Sequence, residues 1–412
     1  MSVSEGGPGR HGNRLRLQIA GAPAEVDAAA WNALLARQAV PTPFMRHEYL
    51  AALHASGSAV QRTGWTPLYM LLWQGDELAA ACPLYLKSHS YGEYVFDWAW
   101  ANAYQEHGLA YYPKALIAVP FTPVPGSRLL ARDAAARQAL IEAVRDWCRD
   151  EGLSSLHLLF GDAADLAACD AAGLMRRDQI QFHWQNKPFT SFDDFLASLT
   201  QDKRKKIRQE RRRVAEAGVT FRVQRGAEIT PADWQFFYRC YERTYLEHGN
   251  PPYLTPAFFD ALARTLPEPW ALFIAERGGA PIASSLIAAS ACQTGAGGRF
   301  DAESAAWGRY WGALERVDSL HFEACYHQPI EWCIRHGVAR FEGGAQGEHK
   351  MARALMPVVT HSAHWLAHPA FSDAVQDFLR REGAGMARYL DHLRERSPLR
   401  KSGTPSTSRG EI

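Results

Sequence analysis

The chain has 412 residues, 47% of them hydrophobic and 22% charged, with 45 Lys and Arg against 44 Asp and Glu. That length exceeds what one ordinary core supports, so two domains or one duplicated unit are expected, and the composition excludes a disordered or fibrous chain. A net charge of +1 excludes a global field that draws the whole molecule onto nucleic acid or anionic lipid.

The N-terminal MSVSEGGPGRHGNR lacks the apolar stretch of roughly 7–15 residues that a signal peptide needs, and no later segment approaches the ~18 apolar residues of a membrane span. A cytoplasmic protein without membrane insertion is therefore expected. Seven scattered cysteines without a CxxC pair read as reduced thiols filling core, and no metal is expected.

Residues 1–13 are polar and aperiodic and are expected to form a disordered tail. In the first domain, 14–186, RLRLQIA reads as a strand and AEVDAAAWNALLARQ and HEYLAALHAS as helices. LYMLLW and ELAAACPLYLK form a hairpin around Gly75-Asp76, and ALIAVPF is a further strand. After the loop TPVPGSRLL, the helix ARDAAARQALIEAVRDWCRDEG and the strand SLHLLF complete the unit. Residues 187–219 are a basic helical connector.

The second domain, 220–396, repeats the order. A strand, VTFRVQRG, straddles its start, and Thr230-Pro-Ala-Asp233 opens a helix with a capping box and proline at its first position. A second helix follows Thr255-Pro256, and WALFIAERGGAPIASSLIAAS is a hairpin around Gly278-Gly279. SLHFEACYHQPIEWCIRHG is a helix ending at a glycine, and VARFEGG is the next strand. Residues 397–412 are expected to form a second disordered tail. This doubled order is similar to the acetyltransferase (GNAT) fold. The expected class is α/β (α+β), with tandem GNAT-like domains, each a mixed central sheet flanked by helices.

Three stretches carry chemistry. In TQDKRKKIRQERRRVAEAG, eight of the eleven residues from Lys203 to Arg213 are Lys or Arg, while the apolar positions Ile207 and Val214 form only a thin stripe. Lys205, Arg208, Arg211 and Arg212 are candidate phosphate ligands, for a nucleotide-sugar diphosphate, coenzyme A or a tRNA backbone. The stretch Gly343-Gly344-Ala-Gln346-Gly347-Glu348-His349-Lys350 brings a carboxylate, an imidazole and an ammonium together on pliant backbone. Acyl transfer to an amine needs a base, for which Glu348 and His349 are candidates, and stabilisation of an oxyanion, for which Lys350 and Gln346 are. A Gly-rich turn whose charges face water is the competing reading.

In Trp307-Gly-Arg309-Tyr310-Trp311-Gly312, aromatics belong to a core strand, but a buried arginine needs a partner, so Arg309 is expected to reach an anionic group in a cleft beside Tyr310. In the first half, Ser127 and Arg128 stand where an acetyltransferase half would receive a pyrophosphate at a helix start, although the repeated glycines of such a loop are missing. Glu323, His327 and Glu331 share a helix face but are too spread for one ion, and His361, His364 and His368 read as structural.

AYQEHGLAYYPKALIAVPFTPVPGSRLL, GRYWGALERVDSLHFEACYHQPIEWCIRHG and RFEGGAQGEHKMARALMPVVTHSAHW resemble blocks of the bacterial FemAB-like family. The resemblance covers nearly the whole chain between the tails. It implies transfer of an acyl or aminoacyl group to an amine, and from their own chemistry Tyr310, Glu348, His349 and Lys350 are the expected catalytic set. The implied substrate is a small molecule or peptidoglycan precursor carrying phosphate. Acyl-CoA is one donor and aminoacyl-tRNA the alternative; a non-catalytic muropeptide or nucleotide recognition module is the competing class. The long coiled-coil arm with which Fem proteins grip tRNA has no counterpart here, which disfavours tRNA.

Overall fold

The structure, a computed structural model, describes residues 15–290, 301–344 and 347–400. Local sequence signals explain the helix starts. Asp27, Asp133 and Asp162 cap helices Ala28–Ala36, Ala134–Asp150 and Ala163–Ala171 by accepting the amides of Ala30, Ala136 and Asp165. The Thr230/Asp233 capping box is formed in both directions. Helix Ala134–Asp150 buries Ala136, Leu140, Ile141, Val144 and Cys148, the one-sided stripe its spacing dictates. No described helix is long and apolar enough to cross a membrane.

The strands are β1 (Leu15–Ala20), β2 (Trp65–Gln74), β3 (Glu77–Lys87), β4 (Lys114–Ile117), β5 (Leu130–Ala131), β6 (Ser155–Leu159) and β7 (Met175–Gln185). Then follow β8 (Val219–Arg225), β9 (Trp270–Arg277), β10 (Ala280–Ala289), β11 (Asp301–Ala313), β12 (Val338–Glu342) and β13 (Met356–Leu366). They form one sheet in the order β1-β2-β3-β4-β6-β13-β7-β12-β11-β10-β9-β8, with β5 beside β3. The neighbours are antiparallel except β4 with β6 and β11 with β12. Helices cover both faces, so central strands such as β6 are buried throughout and read as apolar runs.

The tandem order is present, but the halves exchange their last strands. β7 pairs with β12, Phe341 opposite Trp184, and β13 pairs with β6, His364 opposite His157. One core crosses the seam: Phe44 meets Trp307 with ring centroids 5.6 Å apart, and Tyr49 meets Phe258 at 5.4 Å. The described start of the C-terminal polar segment is paired, with Thr200 N donating to Pro398 O at 2.9 Å and Arg400 N to Ser198 O at 3.0 Å. Helix Trp98–Glu106, between β3 and β4, had no counterpart in the sequence reading.

Candidate functional site

β11 and β12 pair in parallel from Asp301 opposite Val338 to Trp307 opposite Glu342, with a register shift between Asp301 and Ala305, and beyond Trp307 they part. β11 continues to Ala313, bulged against β10 between Leu286 and Ile287, while β12 gives way to Gly343 and Gly344. The opening is a cavity of about 170 Å³ whose lining includes Gly308, Arg309, Tyr310, His321, Tyr326, Gly343 and Gly344. A Cβ at Gly343 would lie 2.6 Å from the end of the Leu355 side chain, which would have to shift, and Gly344 is favoured by its φ of +84°.

The far wall is a helix interrupted by a π-turn at Glu323–His327. Such a turn frees a carbonyl, and Ser285 Oγ donates to Ala324 O at 2.5 Å. His321 and Tyr326 project from this wall. Burial pushes the His321 imidazole down to about 4, so it is neutral, and Tyr326 OH lies 3.4 Å from His349 Nε2. Neither residue stood out in the sequence, because their role depends on which helix face meets the parted strands.

Arg309 and Tyr310 share one cavity, and Lys350 is tied to a glycine that lines it. Lys350 is buried behind the cavity, donating from Nζ to Gly344 O at 2.9 Å. Burial lowers the Lys350 ammonium to about 8. His349 is exposed on one side and held below its ordinary range by partial burial, then by Lys350 and Arg353. Gln346 lies outside the described residues.

Glu348 departs from its expected role as base. It points away, accepting from Tyr389 OH and, at 3.2 Å, from Arg396 Nη1 on and just beyond the C-terminal helix Pro369–Glu395. The Tyr389 hydrogen bond, aided by Arg396, holds its carboxyl below the ordinary range, which makes it a weak base. With Lys203, His349 and Arg396 it lines a separate depression of about 280 Å³.

The basic helix, Gln201–Glu216, is only partly the free cationic face expected. Arg211 is turned inward: Nε reaches Glu323 at 3.2 Å and Nη2 reaches Glu331 at 2.7 Å, so it is not an open phosphate ligand. The same two pairs occupy the carboxylates of the Glu323, His327, Glu331 face. His327 pairs with Glu210 at 3.0 Å, and Glu210 also accepts from Arg353 at 2.5 Å, both pairs being buried. Lys205, Arg208 and Arg212 remain on the exposed side; Arg208 and Arg212 make only surface pairs with Asp193 at 3.4 Å and Glu216 at 3.6 Å.

Arg128 also departs from expectation. It is 1% exposed and spends its guanidinium on carbonyls, with Nε on Leu159 O at 3.1 Å and Nη1 on Gly126 O at 3.1 Å. The backbone amides of Arg128 and Leu129 go to the buried Asp165 carboxylate, and the next helix starts further on at Asp133. The place where the first half would receive a phosphate is thus filled by its own side chains. β4 and β6 are the counterparts of β11 and β12, so the open cleft belongs to the second half.

A family described as FemAB-like, peptidoglycan biosynthesis/recognition, matches residues 22–401. Among solved structures the chain is similar to FemX, with a TM-score of 0.51 and 10% identity over 84% of this chain and 98% of that one. It is likewise similar to the C-terminal DUF2156 domain of a putative lysylphosphatidylglycerol synthetase from Agrobacterium fabrum, with a TM-score of 0.51 and 11% identity over 87% and 97% of the two chains. Comparison with curated protein sequences finds no match. At these identities the structures speak for the fold, and the family match over 22–401 speaks for descent: the chain belongs to the FemAB-like family.

Proposed function

We propose that the chain is an acyltransferase that moves an acyl or aminoacyl group onto an amine acceptor in the cleft of its second half. The observation that carries this reading is the parting of β11 and β12, with a buried lysine behind the gap. Where parallel strands part, backbone groups lose their ladder partners and become available to an acyl carbonyl.

In this reading the amine nitrogen attacks the acyl carbon, the bond from that carbon to its carrier breaks, and the carrier leaves with a proton. His349, neutral near pH 7 because burial and adjacent cations lower it, takes the amine proton through the Tyr326 hydroxyl. Lys350, lowered to about 8, keeps its proton at pH 7 and faces the developing oxyanion, while Tyr310 orients the acceptor. The family's description supports a peptidoglycan precursor as acceptor, and the exposed Lys205, Arg208 and Arg212 suit a phosphate on it. Acyl-CoA is the first donor to test. Aminoacyl-tRNA is second, because the basic helix spans only 16 residues.

The test is a panel of acyl-CoAs and charged tRNAs with amine acceptors, including UDP-linked muropeptides, followed by mass spectrometry of the acceptor. A new amide whose formation falls with Lys350→Ala supports the reading. Tight binding of a muropeptide without turnover by any donor would make the chain a recognition module instead.

A further inference from the structure

Arg309 holds a half-buried charge that no carboxylate among the described residues compensates. Its guanidinium carbon lies 5.0 Å from the Phe44 ring centroid and 4.9 Å from that of Tyr310. Nη2 donates to Phe121 O at 2.9 Å, Thr122 Oγ1 at 3.1 Å and Tyr310 OH at 3.1 Å, while Nε is buried without a hydrogen-bond partner. Among the described residues these are neutral contacts. Several other buried cations meet carboxylates, Lys114 facing Glu93, Arg177 facing Glu382 and Arg353 facing Glu210, whereas Arg128 donates to carbonyls and has the buried Asp165 nearby.

The groups closest in charge to Arg309 are phenols of Tyr310, Tyr49 and Tyr94. Burial pushes Tyr49 up and Tyr94 up to about 12, so neither carries negative charge near pH 7. A guanidinium cannot escape the cost by losing its proton. Yet it is not sealed in, because Arg309 and Tyr310 line the cavity at the parted strands. That cavity, about 170 Å³, is smaller than the roughly 300–1,000 Å³ of whole-ligand pockets, so it admits one end of a ligand.

We propose that Arg309, assisted by the Tyr310 hydroxyl, seats an anionic oxygen group, carboxylate or phosphate, carried by the acyl acceptor close to its reacting amine. The Tyr310 oxygen accepts from Arg309, which leaves its own proton to donate to the anion. Phe121 and Thr122 belong to the first half, so the seat is built by both halves, and the first half shapes acceptor choice although its own cleft is filled. The anion seat stands on geometry and charge alone; assigning its occupant to the acceptor rests on the acyl-transfer reading.

The test uses the full chain in thermal-shift titrations with inorganic phosphate, O-phosphoethanolamine, N-acetylglycine and, as a cation without an acid, glycinamide. At least one acid should raise the Tm saturably, and glycinamide should not. Arg309→Gln should weaken that response about 30-fold or more, as loss of one partner of a buried charge pair does. Arg309→Lys should fall between, since ammonium lacks the planar fork. Comparison of the two phosphates with N-acetylglycine tells phosphate from carboxylate. The seat is overturned if no acid stabilises the wild type, or if the response is equal in Arg309→Gln. Should that variant fail to fold, Arg309→Lys and Tyr310→Phe carry the test, and an unchanged response in both overturns it. Binding is read without turnover, so Arg309-dependent binding in a chain inactive with every donor would remove the acyl-transfer reading and keep the seat.

Discussion

Lys350 illustrates how burial converts an ordinary side chain into a candidate catalytic one. Its pKa falls from 10.5 to about 8 because its ammonium is taken out of water. Between those values the unfolded chain binds more protons than the folded one, so stability should rise with pH from about 8 to about 10.5. Urea unfolding at several pH values should show a shallower rise in Lys350→Met than in the wild type, the remainder coming from Lys87, which burial lowers to about 7. Once a donor is found, Lys350→Ala should lower kcat by about 10²–10³, the effect of deleting one oxyanion donor, and the wild-type rate should decline above about pH 8. His349→Ala should lower turnover by roughly 10²–10⁴. Glu348→Gln should retain activity, because its carboxylate faces Tyr389 and Arg396 rather than the cleft. The sequence placed these three residues side by side, but a turn sends neighbours in different directions, and only the packed loop shows which one looks inward.

At the scale of the element, the basic helix divides into two faces. Ile207 and Val214 are buried as their spacing requires, and Glu210 lies on the same stripe, with Arg211 turned toward Glu323 and Glu331. Changing Lys205, Arg208 and Arg212 together to Gln should leave the Tm nearly unchanged, since exposed ion pairs contribute little, while weakening binding of inorganic triphosphate and flattening its salt dependence. Glu210→Ala should act oppositely. It strands Arg353 and leaves His327 without its carboxylate in the interior, and should cost about 3–5 kcal/mol in chemical denaturation. The charge density of this helix was legible in the sequence. Its internal pairing was not, because Glu323, Glu331 and Arg353 come from distant segments.

At the scale of the whole molecule, the strand exchange makes the halves interdependent. A chain ending at residue 355 would lack β13, leaving β6 and β7 without their shared partner, so it should lose cooperative unfolding by circular dichroism throughout rather than retain a folded first half. The seam also contains a buried pair, with His157 Nδ1 2.7 Å from His364 Nδ1, backed by hydrogen bonds to Ser155 and Ser362. One ring must donate and the other accept, which requires a neutral imidazole. Burial, with Lys114 and Arg177 nearby, lowers His157 to about 3 and holds His364 below its ordinary 6.5. At this pair the unfolded chain therefore binds more protons below about pH 6.5, so the two histidines contribute a loss of stability as the pH falls below that value. Replacing both with Gln should flatten that slope. What the sequence by itself determined was local: the helix caps, the two hairpins, the doubled element order, the family motifs, and the places where cations and glycines gather. Periodicity and turn chemistry act over a few residues, so a single chain displays them. Tertiary structure decided which strands pair across the seam, that Arg128 and Arg211 turn inward, that Glu348 turns out, and that Arg309 meets only neutral groups among the described residues at a gap between strands. Those outcomes depend on burial and on partners far away in sequence, and the energy of a charge is set by what surrounds it rather than by what precedes it in the chain.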